Sequence, residues 1–202
     1  MKTECIIIAG GPSLRDFDWD RLSNYKHDIF AINRAYQNAP MASHLFWVDE
    51  RFFIVHQEGL KQHDTKHKIT ALRKPMRVEY EDWVETVEFS GQHGYDDRDG
   101  YIKTGNNSTY ALLNLVTQRG YKTIYLLGLD MRYDDDGHSH FHDGHHYQDG
   151  RIIEHKESTL TDKMLPFFSE FKEATSHIQD LRIINCNPNS AVRCFEFGEL
   201  PV

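Results

Sequence analysis

Cys5-Ile6-Ile7-Ile8-Ala9-Gly10-Gly11-Pro12-Ser13-Leu14 is the stretch whose reading decides the fold. Its first five residues are continuously apolar and mostly β-branched, the pattern of a strand covered on both faces, and the run stops at paired glycines. Such a strand belongs in the middle of a parallel sheet. Further short apolar runs stand at 28–33, 45–49, 84–89, 123–127 and 181–185, most of them ending on Gly, Asn or Asp. Polar residues at the carboxyl ends of strands are what an open α/β sheet needs, because its ligands sit in the crevice outside those ends. Asp49 stands at one such end.

Between the strands, residues 108–119 carry Tyr110, Leu112, Leu113, Leu115 and Val116 at helical spacing, with Asn106, Asn107 or Ser108 as N-cap and Gly120 just past the end. Residues 158–177 read as a second long helix, too densely apolar for an exposed face and placed to be kinked by Pro166. The stretch from His56 to Lys74 is polar and weakly patterned, either a helix or a surface insertion. These elements predict a single-domain, Rossmann-like α/β fold over residues 1–202, with a mostly parallel sheet, helices on both faces and a His/Asp-rich loop or lid at 131–150.

A chain of 202 residues with 39% hydrophobic and 27% charged residues has the composition of a soluble globular protein. A formal charge of −8 without a basic stripe argues against nucleic acid as a partner. The apolar run near the start is too short for a signal peptide or a membrane span, so a cytoplasmic protein without a transmembrane segment is expected. Cys5, Cys186 and Cys194 form no CxxC pair, which suggests neither a disulfide framework nor a thiolate zinc site.

Four segments carry candidate chemistry. The turn Gly10 to Leu14 offers backbone N–H groups and the Ser13 hydroxyl where the chain leaves a buried strand, a setting suited to phosphate or ribose as well as to a plain tight turn. The loop Lys103-Thr104-Gly105-Asn106-Asn107-Ser108-Thr109 opens a helix with amides and hydroxyls, where the helix dipole favours an anion and ordinary capping explains part of the pattern. Next comes Gly128-Leu129-Asp130-Met131-Arg132-Tyr133, in which Arg132 could neutralise a diphosphate and Tyr133 could donate to a leaving phosphate oxygen. The last is the loop 134–146, where five histidines and four aspartates fall within thirteen residues. His138, His140, His142 and His145 have the ligand chemistry for a divalent metal, although the order is not that of the HxHxDH metallo-hydrolases. A loose lid over a ligand crevice is the other reading of that loop.

Taken in order, Ile7 to Leu14, Asn33, Thr104-Gly105, Gly120 to Asp130 and Asn187-Pro188-Asn189-Ser190 resemble the bacterial sialyltransferases that extend lipooligosaccharide, and the related "GPSL" proteins, which include motility accessory factors and hydroxymethylpterin pyrophosphokinases. That resemblance implies a variant nucleotide-sugar glycosyltransferase fold with a nucleotide-activated sugar as substrate, a glycan or small-molecule acceptor and no required cofactor. It also implies nucleotide contacts from Gly10, Gly11, Ser13, Asn33, the Thr104 to Asn106 loop, Asn189 and Ser190. By the same resemblance His155 is the catalytic base of an inverting transfer, and Tyr133 is the first of two tyrosines at the leaving phosphate. The second tyrosine of the family has no direct match, which leaves Tyr147 or a histidine such as His140. Two other readings stay open at this point. One is Mg-dependent diphosphoryl transfer to a pterin-like alcohol through Asp130, Asp134 or Asp143; the other is a non-catalytic metal or nucleotide binder, and for any of the three an oligomer is allowed.

Overall fold

The computed structural model describes residues 3–72, 78–142, 145–146, 152–153 and 156–202. In chain order the strands are β1 (Glu4–Ile8), β2 (Asp28–Ile32), β3 (His44–Trp47), β4 (His67–Leu72), β5 (Glu85–Gly91), β6 (Tyr101–Lys103), β7 (Thr123–Leu127), β8 (His145–His146), β9 (Ile152–Ile153), β10 (Arg182–Asn185) and β11 (Glu196–Phe197). Nine of them form one open sheet in the order β11-β10-β7-β1-β2-β3-β4-β5-β6, and β8 pairs with β9 apart from it. Every pairing inside the large sheet is parallel. This is the expected Rossmann-like α/β architecture.

β1 occupies the centre because it can be buried on both sides: Cys5, Ile6, Ile7 and Ile8 are each 0% exposed. Successive side chains point to opposite faces. Cys5 and Ile7 join a core with Phe30, Ile124 and Leu126, covered by helices α2 (Ser108–Gln118) and α4 (Leu165–Ala174). Ile6 and Ile8 join a second core with Ile29, Ala31, Leu45 and Trp47, covered by α1 (Glu50–Gln62) and three 3-10 turns, Pro12–Leu14, Trp19–Asn24 and Asn33–Gln37. Each such side chain taken fully out of water contributes about 1.5–3 kcal/mol, so the middle of the sheet fixes the register and the short edge strands follow it.

The chain order positions the site. From β1 the chain steps outward to β6, then α2 carries it back to β7 on the other side of β1, so the strand order reverses between β1 and β7. Open α/β sheets bind ligands at that reversal. The return helix is tied down by polar groups as well as by packing. Asn107 caps it, its Oδ1 accepting from the N–H groups of Thr109 (2.8 Å) and Tyr110 (3.2 Å). Within α2, the fully buried Asn114 accepts from the N–H groups of Asp96 and Lys103, both at 3.0 Å, and donates to the Asp96 carbonyl at 2.8 Å. Asp96 is in turn clamped by Arg98, which donates to both carboxylate oxygens and holds its carboxyl well below the usual range. The loop ahead of Thr104 is therefore held on a rigid base.

Three sequence expectations change here. The long helix over 158–177 is two helices, α3 (Glu157–Lys163) and α4, separated at Met164. Pro166 lies in the first turn of α4, where its missing N–H costs nothing, so it starts a helix rather than kinking one. The run 84–89 is shifted, forming β5 at Glu85–Gly91. Lastly, the stretch from His56 contains the second half of α1 and then β4, rather than one helix or an insertion.

Candidate functional site

A cavity of about 930 Å³ opens along the carboxyl ends of the strands on both sides of the β1/β7 reversal. Its floor includes Gly10 and Gly11 after β1, Asn33 and Arg34 after β2, Asp49 to Phe52 after β3, Thr104, Asn106 and Asn107 after β6, and Gly128 to Met131 after β7.

The glycine turn is zipped to the extension of β7. Ala9 N–H donates to the Leu127 carbonyl and Gly11 N–H to the Gly128 carbonyl, each at 2.8 Å. A Cβ on Gly11 would overlap the Asp130 carboxylate and come within 2.5 Å of the Gly128 carbonyl oxygen. Gly128 adopts φ +73°, and a Cβ there would lie 2.6 Å from the Leu14 side chain. These glycines are small so that two chain segments can meet. Asp130, 3% exposed, is the pin between them: its carboxylate accepts from Ser13 N–H (2.7 Å), Ser13 Oγ (2.8 Å) and Asn187 Nδ2 (2.6 Å).

Both the N–H and the hydroxyl of Ser13, expected at an anion, are turned to Asp130. Leu14 N–H goes to the Gly11 carbonyl. Gly10 and Gly11 do line the cavity, and what they contribute is room and shape.

Asn33 has φ +49°, a left-handed conformation that asparagine tolerates better than most residues, and it lines the cavity. Among the described residues, its buried Oδ1 has no hydrogen-bond donor. Asp49 caps α1, accepting from Arg51 N–H at 2.9 Å, and Arg51 also grips the carboxylate through Nε and Nη2. In the loop after β6, Asn106 has φ +54° and accepts from Gln92 Nε2 at 2.7 Å. Thr104 is buried and faces the cavity. Gly105 lies between these two without lining the cavity; at φ +49° it passes so close to Tyr110 that a Cβ would stand within 2.5 Å of the ring.

The histidine-rich loop turns back on itself at Asp134 to His138, with Asp134 N–H donating to the His138 carbonyl at 2.9 Å and Gly137 at φ +84°. Phe141 then anchors the returning chain: its N–H donates to the Gly10 carbonyl at 3.1 Å and its ring packs 5.7 Å from Trp19. Alternation sends His140 and His142 the other way, into the cavity lining, with ring centroids 4.9 Å apart. The three described candidates, His138, His140 and His142, are therefore not gathered into one ligand set. His138 pairs with Asp134 (3.1 Å), His140 and His142 face the cavity, and the side chain of His145 lies outside the described residues. Among the described residues, the group able to hold a cation is instead Asp134, Asp136 and His138, whose ligand atoms lie within 4.8 Å of one another.

Other expected site residues sit off the cavity. Arg132 runs along the surface, donating to the carbonyls of Tyr133 (3.1 Å) and Asn189 (3.4 Å) and pairing with Asp135. Tyr133, half-buried, is not part of the lining. Ser190 is completely buried, its Oγ donating to the Leu129 carbonyl at 2.6 Å, so the 187–190 segment braces Leu129 and Asp130 from behind and lends the pocket no wall. Tyr147 and His155 lie outside the described residues. The sequence reading also missed Arg34, Glu50, Arg51, Phe52, His56 and Gln92, all of which line the cavity. The rule that marked Asp49, a polar residue at a strand end, points to the first turns of the helix that follows it.

With this geometry the structure matches that of the sialyltransferase CstII from Campylobacter jejuni in complex with a substrate analogue, CMP-3FNeuAc. The match has a TM-score of 0.53 at 16% identity, over 98% of this chain and 86% of that one. The fold is sialyltransferase-like. A Tyr-to-Phe variant of sialyltransferase Cst-II in complex with CMP matches with a TM-score of 0.51, again at 16% identity over 98% and 86% of the two chains. No family model matches the sequence, and no curated protein does. Among the described residues no helix is long and apolar enough to cross a membrane.

Proposed function

We propose that residues 1–202 form one working unit, a cytoplasmic glycosyltransferase that moves a sugar from a nucleotide-activated donor to an acceptor hydroxyl with inversion. The observation that carries this reading is the buried Oδ1 of Asn33, which has no donor among the described residues, in a cavity at the strand-order reversal. A buried acceptor without a partner costs roughly 1–3 kcal/mol, and a ligand O–H or N–H would recover it. The sugar and nucleotide of the two structural neighbours' ligands suggest the donor class.

In the reaction the acceptor oxygen bonds to the anomeric carbon as the bond from that carbon to the phosphate oxygen breaks, and its electron pair stays on the phosphate. The acceptor's proton passes to His155, two residues ahead of α3 in the sequence. Imidazole suits that step because its ordinary pKa lies near neutrality. No step in this scheme needs a metal. Tyr133 and Arg132, expected at the leaving phosphate, act there if the ligand draws them in; Tyr147, expected there too, lies outside the described residues.

Diphosphoryl transfer with Mg²⁺ is the second reading, favoured by the Asp134, Asp136 and His138 group. Against it, Asp130 already accepts three hydrogen bonds and Asp134 already serves the His138 turn. Thermal unfolding separates the two. CMP-linked or UDP-linked sugars should raise Tm and be slowly hydrolysed, with stabilisation approaching about 2.7 kcal/mol at a hundredfold excess over Kd. Stabilisation by ATP with Mg²⁺ alone would remove the glycosyltransferase reading.

A further inference from the structure

Two side-chain amides meet on the cavity wall beyond β5 and β6. Gln92, the first residue after β5, donates from Nε2 to Asn106 Oδ1 at 2.7 Å, and both residues line the cavity. Pairing two primary amides uses one N–H and one carbonyl oxygen. It leaves the NH2 of Asn106 as a donor and the C=O of Gln92 as an acceptor, and among the described residues no other group takes either of them.

Neither loop closure nor helix capping requires this pair. The two loops are already joined through their backbones, Thr104 N–H donating to the Gly91 carbonyl at 3.1 Å and Gly105 N–H to the Gln92 carbonyl at 3.0 Å. The cap of α2 is supplied by the next residue, Asn107. Yet Asn106 is held at φ +54°, a left-handed conformation that glycine would adopt with less strain. Backbone strain of this kind concentrates at ligand sites. What asparagine adds over glycine at this position is the amide.

We propose that the Gln92–Asn106 pair binds a vicinal diol of the ligand, with Asn106 Nδ2 donating to one hydroxyl and Gln92 Oε1 accepting from its neighbour. This rests on the reading of the cavity as a nucleotide-sugar site. A diol suits an uncharged amide pair because each hydroxyl can donate or accept. A phosphate or carboxylate, having no proton to give, would set its oxygen against that of Gln92. Two parts of a nucleotide-activated sugar offer a diol, the ribose and the transferred sugar.

The test measures the affinities of CMP, 2′-deoxy-CMP and CMP-3FNeuAc by calorimetry in the wild type, Gln92→Leu and Asn106→Gly. Glycine adopts the backbone conformation of residue 106 readily, so the second variant removes the amide without disturbing the turn. If the diol is the ribose, the wild type binds CMP about three- to ten-fold more tightly than 2′-deoxy-CMP, the size of one neutral hydrogen bond. Both variants then lose that preference and keep their affinity for 2′-deoxy-CMP. If the diol is on the transferred sugar, the wild type prefers CMP-3FNeuAc to CMP, and both variants cut that preference by a similar factor while CMP affinity stays put. Unmoved affinities, an equal weakening of all three ligands, or a loss confined to one variant overturns the proposal and leaves the nucleotide-sugar reading standing. A wild type that binds none of the three removes both.

Discussion

His155→Ala is expected to lower sugar transfer by about 10²–10⁴-fold while leaving CMP affinity unchanged, the signature of a lost general base. The step that needs it is removal of the acceptor's proton as its oxygen attacks, and water or a distant group can replace an aligned imidazole only poorly. In the proposed reading the nucleotide is held by Asn33 and the Gly10-Gly11 turn, which line the cavity, so ground-state affinity should survive. The check is steady-state transfer beside calorimetric CMP binding on the same preparation. A variant with undiminished turnover takes His155 out of the mechanism, and one that has lost both turnover and CMP binding indicates a structural role instead.

The second large effect is on stability. Gly11→Ala should destabilise the fold by about 3–5 kcal/mol, because overpacking at such a point costs about 1–3 kcal/mol and displacing Asp130 weakens hydrogen bonds to a charged group worth about 1.5–3 kcal/mol each. The added methyl would overlap the Asp130 carboxylate on one side and meet the Gly128 carbonyl at 2.5 Å on the other, so no flexible side chain is there to give way cheaply. For a chain of this size the loss corresponds to roughly 10 °C in Tm. Gly10→Ala is the internal control. Its Cβ would meet the His140 ring edge at 3.3 Å and His142 Nε2 at 4.0 Å, both on side chains able to shift, so its Tm should fall far less. Equal losses in the two variants would show that Asp130 is not the pin described here.

How much of this could be read from the sequence depends on what each residue's role requires. β1 was legible because four consecutive buried residues leave no other interpretation, and α2 because its cap, apolar spacing and closing Gly120 agree with one another. β6 was not, being a three-residue edge strand with one buried side chain, Ile102. β4 was hidden by Lys68, whose stem is buried while its ammonium reaches the Lys61 carbonyl.

At the site, sequence shows which groups can donate but not which acceptor claims them. Ser13 looked like an anion ligand because Asp130, its partner, stands 117 positions away. Ser190 had the right chemistry for a pocket wall and a buried place behind it. The histidine loop was marked by composition, yet composition could not separate His138, tied to Asp134, from His140 and His142, which alternation around Phe141 turns to the cavity. His56 gave no signal at all, since its place at the cavity is set by a contact with a tyrosine 20 positions back.

The central claim is that the cavity at the β1/β7 reversal holds a nucleotide-activated sugar. A crystal structure of the protein soaked with CMP-3FNeuAc tests it most directly. The account predicts the nucleotide lying across the strand ends, a ligand O–H or N–H donating to Asn33 Oδ1, and the phosphate over Gly10 and Gly11 near His140. A ligand bound elsewhere, or one that occupies the cavity and leaves Asn33 Oδ1 without a donor, would contradict it.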